Sequence, residues 1–184
     1  MKALPEVATP RLILLRPRAA DAADVFERYA SDPEVTRFLG WPRHRSVADT
    51  EAFLAFSESE WERWPGGPYL IRSRGDGRLL GGTGLEFETP AHAATGYVLA
   101  RDAWGQGFAT EALTAVIDVA RQVGVARLRA LCHPQHRASW RVLEKCGFVH
   151  DTSRPEQAEF PTLAPGQLQD VRRYEIVLQP ATGR

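Results

Sequence analysis

Residues 101–113, RDAWGQGFATEAL, set two glycines one residue apart directly ahead of a run with helical patterning. Glycine lacks a Cβ, so the backbone N–H groups of residues 105–109 can turn inward together toward an anion. The helix expected from Thr110 adds unpaired N-terminal amides and the positive end of its dipole. Such a turn suits a pyrophosphate and needs no lysine. It also suits a tight strand-to-helix connection with no ligand, the commoner role of an isolated Gly-x-Gly. Two other phosphate motifs are excluded. The chain contains no GxxxxGK[ST] string, and Thr110 stands where a dinucleotide fingerprint needs its third glycine.

The pattern around this turn predicts an α/β fold. RLILLRP (residues 11–17) reads as a strand ended by Pro17. Ala22, Val25, Phe26 and Tyr29 keep a helical spacing, and Asp32-Pro33 marks a second helix start. Ser46 is placed to cap a longer helix that Pro65 and two glycines end. Two strands then meet at Gly75-Asp76-Gly77, a hairpin signal, and residues 94–100 form a third. The helix after the glycine turn carries Ala112, Leu113, Val116, Ile117 and Ala120 on one face and stops at Gly124. RLRALC, a short helix ended by Gly147, FVHD and a last strand over residues 170–178 complete one mixed sheet.

Composition narrows the class. The 184 residues, 43% hydrophobic, predict one domain over residues 1–184 with an ordered core over about 10–179. Twenty-three basic residues balance twenty-three acidic ones, which argues against a nucleic-acid partner. Cys132 and Cys146 lack any CxxC spacing, and MKALPEVATP has no long apolar run. A cytoplasmic protein with reduced thiols, no membrane anchor and no metal site is expected. His133 and His136 lie three apart, but no third ligand accompanies them, and His133 before Pro134 reads as a turn residue.

Three strings in order then resemble one family. TPRLILLRP with DPEVTRFLGWP, WGQGFATEAL, and HPQHRASWRVLEKCGF are similar to the GNAT superfamily of acyl-coenzyme-A N-acyltransferases, in its ribosomal-protein N-terminal acetyltransferase (Rim-type) branch. The resemblance implies a single-domain fold with a central, mostly antiparallel twisted sheet of about seven strands flanked by helices. It implies acetyl-CoA as cosubstrate and a primary amine as acceptor, with the protein a monomer or homodimer. The pyrophosphate loop falls on Trp104, Gly105, Gln106, Gly107, Phe108 and Ala109, with Thr110 opening the helix; Trp104 departs from the usual Gln or Arg. The pantetheine arm is expected between residues 97–99 and their splayed parallel neighbour, residues 127–132. His136 stands where the family pattern has asparagine, so a smaller amide contact to the arm is replaced by an imidazole.

The chemistry needs a neutral amine, a stabilised oxyanion and a protonated thiolate. A backbone N–H near Val98 or Leu99 is the expected oxyanion donor. Ser139 is the residue that the resemblance places near the sulfur, as proton donor or thiolate orienter; a first-turn serine also caps helices. The glutamate that many relatives carry two residues before Gly-Tyr is Ala94 here. Glu86 is the candidate replacement base, with Glu88 on the same strand face; an α-amino acceptor also reacts with little help. Trp41, Trp61 and Trp64 fall where the family builds an acceptor groove, although aromatics at helical spacing are more often core. Glu156 and Glu159, in the long loop 152–169, are placed to attract a cationic acceptor. Three functions remain: acetylation of a peptide N-terminus or small amine, detoxification of an antibiotic amine, or coenzyme-A-responsive binding without efficient catalysis.

Overall fold

The computed structural model describes residues 2–153 and 155–179. Two short antiparallel strands come first, β1 (Glu6–Ala8) and β2 (Leu12–Leu15). Helix α1 (Ala22–Val25) runs on through a π-helical turn to Ala30, and α2 (Pro33–Thr36) follows at the predicted start. There Asp32 accepts the N–H groups of Glu34 and Val35, and Pro33 fills a first-turn place that needs no donor. Helix α3 (Val47–Arg63) begins at Ser46, whose hydroxyl and the Asp49 carboxylate satisfy each other's backbone N–H.

The rest of the chain alternates strands with two helices. These are β3 (Pro68–Ser73), β4 (Leu79–Thr89), β5 (His92–Leu99), α4 (Phe108–Gln122), β6 (Arg127–Cys132), α5 (Arg137–Lys145), β7 (Val149–Asp151), β8 (Gln157–Glu159), β9 (Leu168–Asp170) and β10 (Arg172–Val177). The sheet has eight strands in the order β1-β2-β3-β4-β5-β6-β10-β7, one more than expected because β1 pairs outside β2. Strands β8 and β9 form a separate hairpin within the predicted loop. The last predicted strand therefore divides at Val171: Asp170 pairs with β8, while β10 joins the main sheet.

Burial explains the unbroken apolar runs. In β3, Tyr69 and Ile71 enter the main core under α4, while Leu70 joins a second cluster with Val25, Tyr29 and Val35. Helix α4 buries the five predicted residues together with Ala115 and Val119. Each fully buried Val, Leu or Ile side chain there contributes roughly 1.5–3 kcal/mol. Trp61 and Trp64 are core residues. Trp61 is buried and donates its indole N–H to the Pro68 carbonyl, and Trp64 stacks on Phe87. Only Trp41 of the three borders the α2 side, against the second cluster. Among the described residues no helix is long and apolar enough to cross a membrane.

Candidate active site

The sheet opens between β5 and β6, its one parallel pair among the described strands. Pairing runs through His92–Arg127, Ala93–Leu128 and Ala94–Arg129, then stops. Each strand continues regardless, because its outer neighbour holds it: β4 pairs with β5 up to Leu99, and β10 pairs with β6 up to Cys132. The result is a wedge, closed at Ala94–Arg129 and open toward Leu99 and Cys132. Thr95 and Thr83 fix the β5 side, their hydroxyls donating to the carbonyls of Gly84 and Gly96.

Backbone direction decides what the wedge offers. Ala100 donates to the Leu80 carbonyl at 2.8 Å, and the Val98 carbonyl lies so close to Gly81 that a Cβ there would collide with it. Val98 therefore turns its backbone to β4. A trans peptide points its N–H opposite to its C=O, so the N–H of Leu99 faces the gap. Of the two expected oxyanion donors, Leu99 has the required direction and Val98 does not. The Leu99 carbonyl is covered by the indole N–H of Trp104 at 2.8 Å, which leaves that ring half exposed at the wedge mouth.

The glycine turn follows directly. Gly105 and Gly107 have φ of 72° and 79°, left-handed values that disfavour any side chain. Gly107 is the N-cap of α4, so the helix starts at Phe108, two residues earlier than expected from Thr110. No side chain caps this end, which leaves the amides of Phe108, Ala109 and Thr110 in the first turn. The turn is braced from outside: Gln106 donates its amide to the Asp102 carbonyl, and Arg11 donates to the Gln106 carbonyl at 2.9 Å.

Opposite this turn, α5 presents Ser139. His136 is its N-cap but makes no side-chain cap; its ring instead stacks on Phe38, with centroids 5.0 Å apart. Burial, then the neighbouring His133, pushes the His136 pKa down, so the ring is neutral at pH 7. His133 opens a turn as expected, its carbonyl accepting the His136 N–H at 2.9 Å, and its ring is also buried. Gln135 donates its N–H to Nδ1, so Nε2 carries the proton toward Gln169 Oε1 at 3.0 Å. Among the described residues no group of three His, Cys, Asp or Glu is placed to hold a metal ion. Burial pushes the Cys132 thiol up to about 11.

Tyr97 is the residue that sequence reasoning missed. Its hydroxyl crosses from β5 to α5, 2.7 Å from the Ser139 carbonyl and 3.1 Å from Ser139 Oγ. Burial raises its pKa far above the ordinary phenol value, so it stays protonated and donates to the carbonyl. The Ser139 hydroxyl thus bonds to Tyr97 and not to a helix amide. The available signal was parity: Tyr97 and Leu99 sit two apart on one strand and share a face.

Glu86 lies opposite Ala94, beside the closed end of the wedge. Leu85 and Phe87 enter the main core, so Glu86 occupies the other face, exposed and without an ion pair among the described residues. Glu88 is ion-paired to Arg129. Glu156 also meets Arg129, and Arg173 as well, at 3.3 and 3.2 Å, while Glu159 accepts the Gly166 N–H. The expectation that these carboxylates attract a cationic acceptor is therefore corrected for Glu156, whose charge is met within the chain; Glu159 is in no ion pair among the described residues.

Comparisons with known proteins agree with this geometry. Residues 11–149 match the family described as acetyltransferase (GNAT) domain. The uncharacterized N-acetyltransferase YoaA of Bacillus subtilis (strain 168) is 29% identical over 147 residues, 78% of this chain and 82% of its own. RimL, a ribosomal L7/L12 alpha-N-protein acetyltransferase solved with coenzyme A, is similar with TM-score 0.81 at 20% identity, over 94% of this chain and 97% of that one. The microcin C7 self immunity acetyltransferase MccE, solved with acetyl-CoA and AMP, has TM-score 0.80 at 19% identity, over 92% and 94%.

Proposed function

The chain belongs to the GNAT acetyltransferase family, and from that premise we infer that it transfers the acetyl group of acetyl-CoA to a primary amine. The preferred acceptor in this reading is a peptide or protein N-terminal α-amine, as in the Rim-type branch. The observation that carries it is the wedge between β5 and β6, with the Leu99 N–H facing in and the capless α4 N-terminus at its mouth. The residues fit the cosubstrate: amides at 107–110 suit a pyrophosphate, and the open edge of β5 suits an amide-bearing arm. Bound there, acetyl-CoA supplies the activated acyl group.

The chain's own groups divide the remaining work. The Leu99 N–H stabilises the carbonyl oxygen as the amine nitrogen adds to the carbonyl carbon. When the C–S bond breaks, Ser139 gives a proton to the sulfur and regains one from water, while Tyr97, hydrogen-bonded to Ser139, orients its hydroxyl. The proton lost from the amine passes to water or, through water, to Glu86. A second reading, an amine-bearing antibiotic as acceptor, rests on the fold likeness to the microcin C7 self immunity acetyltransferase.

Thiol release from acetyl-CoA, measured over N-terminal peptides, small amines and amine-bearing antibiotics, tests the reading. Turnover with at least one peptide is expected. Coenzyme A binding with no turnover on any acceptor would overturn it in favour of a binding protein.

A further inference from the structure

A second concavity, lined by none of the glycine-turn residues, has a charge that the wedge does not explain. A cleft of about 290 Å³ opens between the segment joining α2 to α3 and the loop after β8. Pro33, Pro42, Arg43 and Arg45 face Thr162 and Pro165 across it. Its prolines have fixed φ, so the walls need little ordering on binding. They are also tied together: Thr162 Oγ1 accepts the Arg43 N–H at 3.0 Å and donates to buried Thr36 at 3.3 Å.

The lining holds two arginines and no carboxylate. Neither guanidinium is ion-paired among the described residues, unlike those of Arg28, Arg72, Arg101, Arg129 and Arg173. None of the acids of the same segment lines the cleft. Asp32 holds Arg101 at 2.6 Å, Asp49 accepts the N–H groups of Arg45 and Ser46, and Glu34 does not line the cleft. Guanidinium groups left free in a pre-shaped cleft are suited to carboxylates, which they bind through paired N–H donors.

Both walls are anchored at the mouth of the wedge. Asp32, beside Pro33, grips Arg101, two residues beyond Leu99. Phe38 stacks on His133 and His136, and Phe160, beside Pro161, sets its edge on His133 at 4.9 Å. His136 opens α5, three residues before Ser139. We propose that Arg43 and Arg45 bind carboxylates of the acceptor, so that the preferred substrate is a peptide whose acidic residues follow its N-terminal amine. This rests on the amine-transfer reading above.

Three tetrapeptides with one N-terminal residue and acidic, neutral or basic final pairs provide the turnover test. The acidic peptide is expected to exceed the neutral one in kcat/KM by about tenfold at low salt, less at high salt. In Arg43→Ala/Arg45→Ala that ratio falls to near one, and in Arg43→Glu/Arg45→Glu the basic peptide is preferred. An N-acetylated acidic peptide, titrated calorimetrically, reads the cleft without turnover and is expected to bind the wild type about tenfold more tightly than the alanine pair. If blocked peptide binds as expected but no peptide is acetylated, the cleft stands and the transfer reading fails. Acetylation with no charge preference, or a preference unchanged in both double variants, overturns the cleft assignment.

Discussion

The Arg11 guanidinium holds the Glu111 carboxylate with Nε 2.6 Å from Oε2, while the Arg11 backbone N–H reaches Oε1 at 2.8 Å. Thr9 donates to the same Oε1 at 2.6 Å, and the guanidinium lies over the Phe108 ring, 4.6 Å from its centroid. One arginine beside β2 thus braces the glycine turn and the first turn of α4 together.

Loss of that brace should loosen the turn without unfolding the sheet. Arg11→Ala is expected to weaken acetyl-CoA binding by about three- to tenfold, roughly 0.7–1.4 kcal/mol, with kcat changed less. Calorimetry against steady-state kinetics separates the two, and an unchanged dissociation constant would refute the brace. The pair also has a pH signature. Burial raises the Glu111 pKa, but the Thr9 hydroxyl and the Arg11 N–H and guanidinium outweigh it and hold the carboxyl below its usual value. A depressed carboxyl stabilises the fold above its unfolded pKa, near ~4.3, and that stability is lost as pH falls through the folded value. The urea-unfolding gap between wild type and Glu111→Gln should therefore be present at neutral pH and close in acid.

The glycine turn is open to a controlled comparison. A Cβ on Gly107 would meet only Arg11 Nη2, at 3.5 Å, so the constraint is its φ of 79° and not space. Gly77 has a φ of 71° in the distant β3–β4 hairpin, with nothing within 4 Å. Gly107→Val and Gly77→Val should each lose about 1–2 kcal/mol of stability. Only Gly107→Val should weaken coenzyme A binding, by more than about tenfold or ~1.4 kcal/mol. Equal affinity in the two folded variants would remove the pyrophosphate from this turn.

Ser139 and Tyr97 should behave as one unit. Ser139→Ala is expected to lower kcat by about 10- to 100-fold, at or below the lower end of general-acid effects, with acetyl-CoA affinity within a few-fold. Tyr97→Phe should lose less, and the double variant should match Ser139→Ala instead of summing the two. Strict additivity would mean that the 3.1 Å contact has no part in proton delivery.

The base is tested by changing the acceptor. With Ala94 supplying no carboxylate, the rising limb of kcat/KM against pH should follow the acceptor amine's own pKa. Two acceptors differing by about two units, an α-amine and a lysine-type amine, should show inflections displaced accordingly, and Glu86→Gln should alter little. A fixed inflection near neutral pH that disappears in Glu86→Gln would assign the base to Glu86.

Local chemistry in the sequence determined much of this protein. Asp32-Pro33 and Ser46 started their helices, Gly75-Asp76-Gly77 closed its hairpin, and the apolar stripe of α4 became its buried face, because each effect acts within a few residues. Gly105 and Gly107 likewise announced a turn that only residues without a Cβ enter freely. Tertiary structure decided what lay across the sheet. The wedge exists because β4 and β10 hold β5 and β6 after their mutual pairing stops at Ala94–Arg129. The choice of Leu99 over Val98 follows from the approach of Gly81, and Tyr97–Ser139 and Arg11–Glu111 join residues 42 and 100 positions apart. Glu156 was legible as a charge but not as a partner of Arg129 and Arg173. Periodicity reports which face a side chain occupies; which distant group meets it there is fixed only when the whole chain packs.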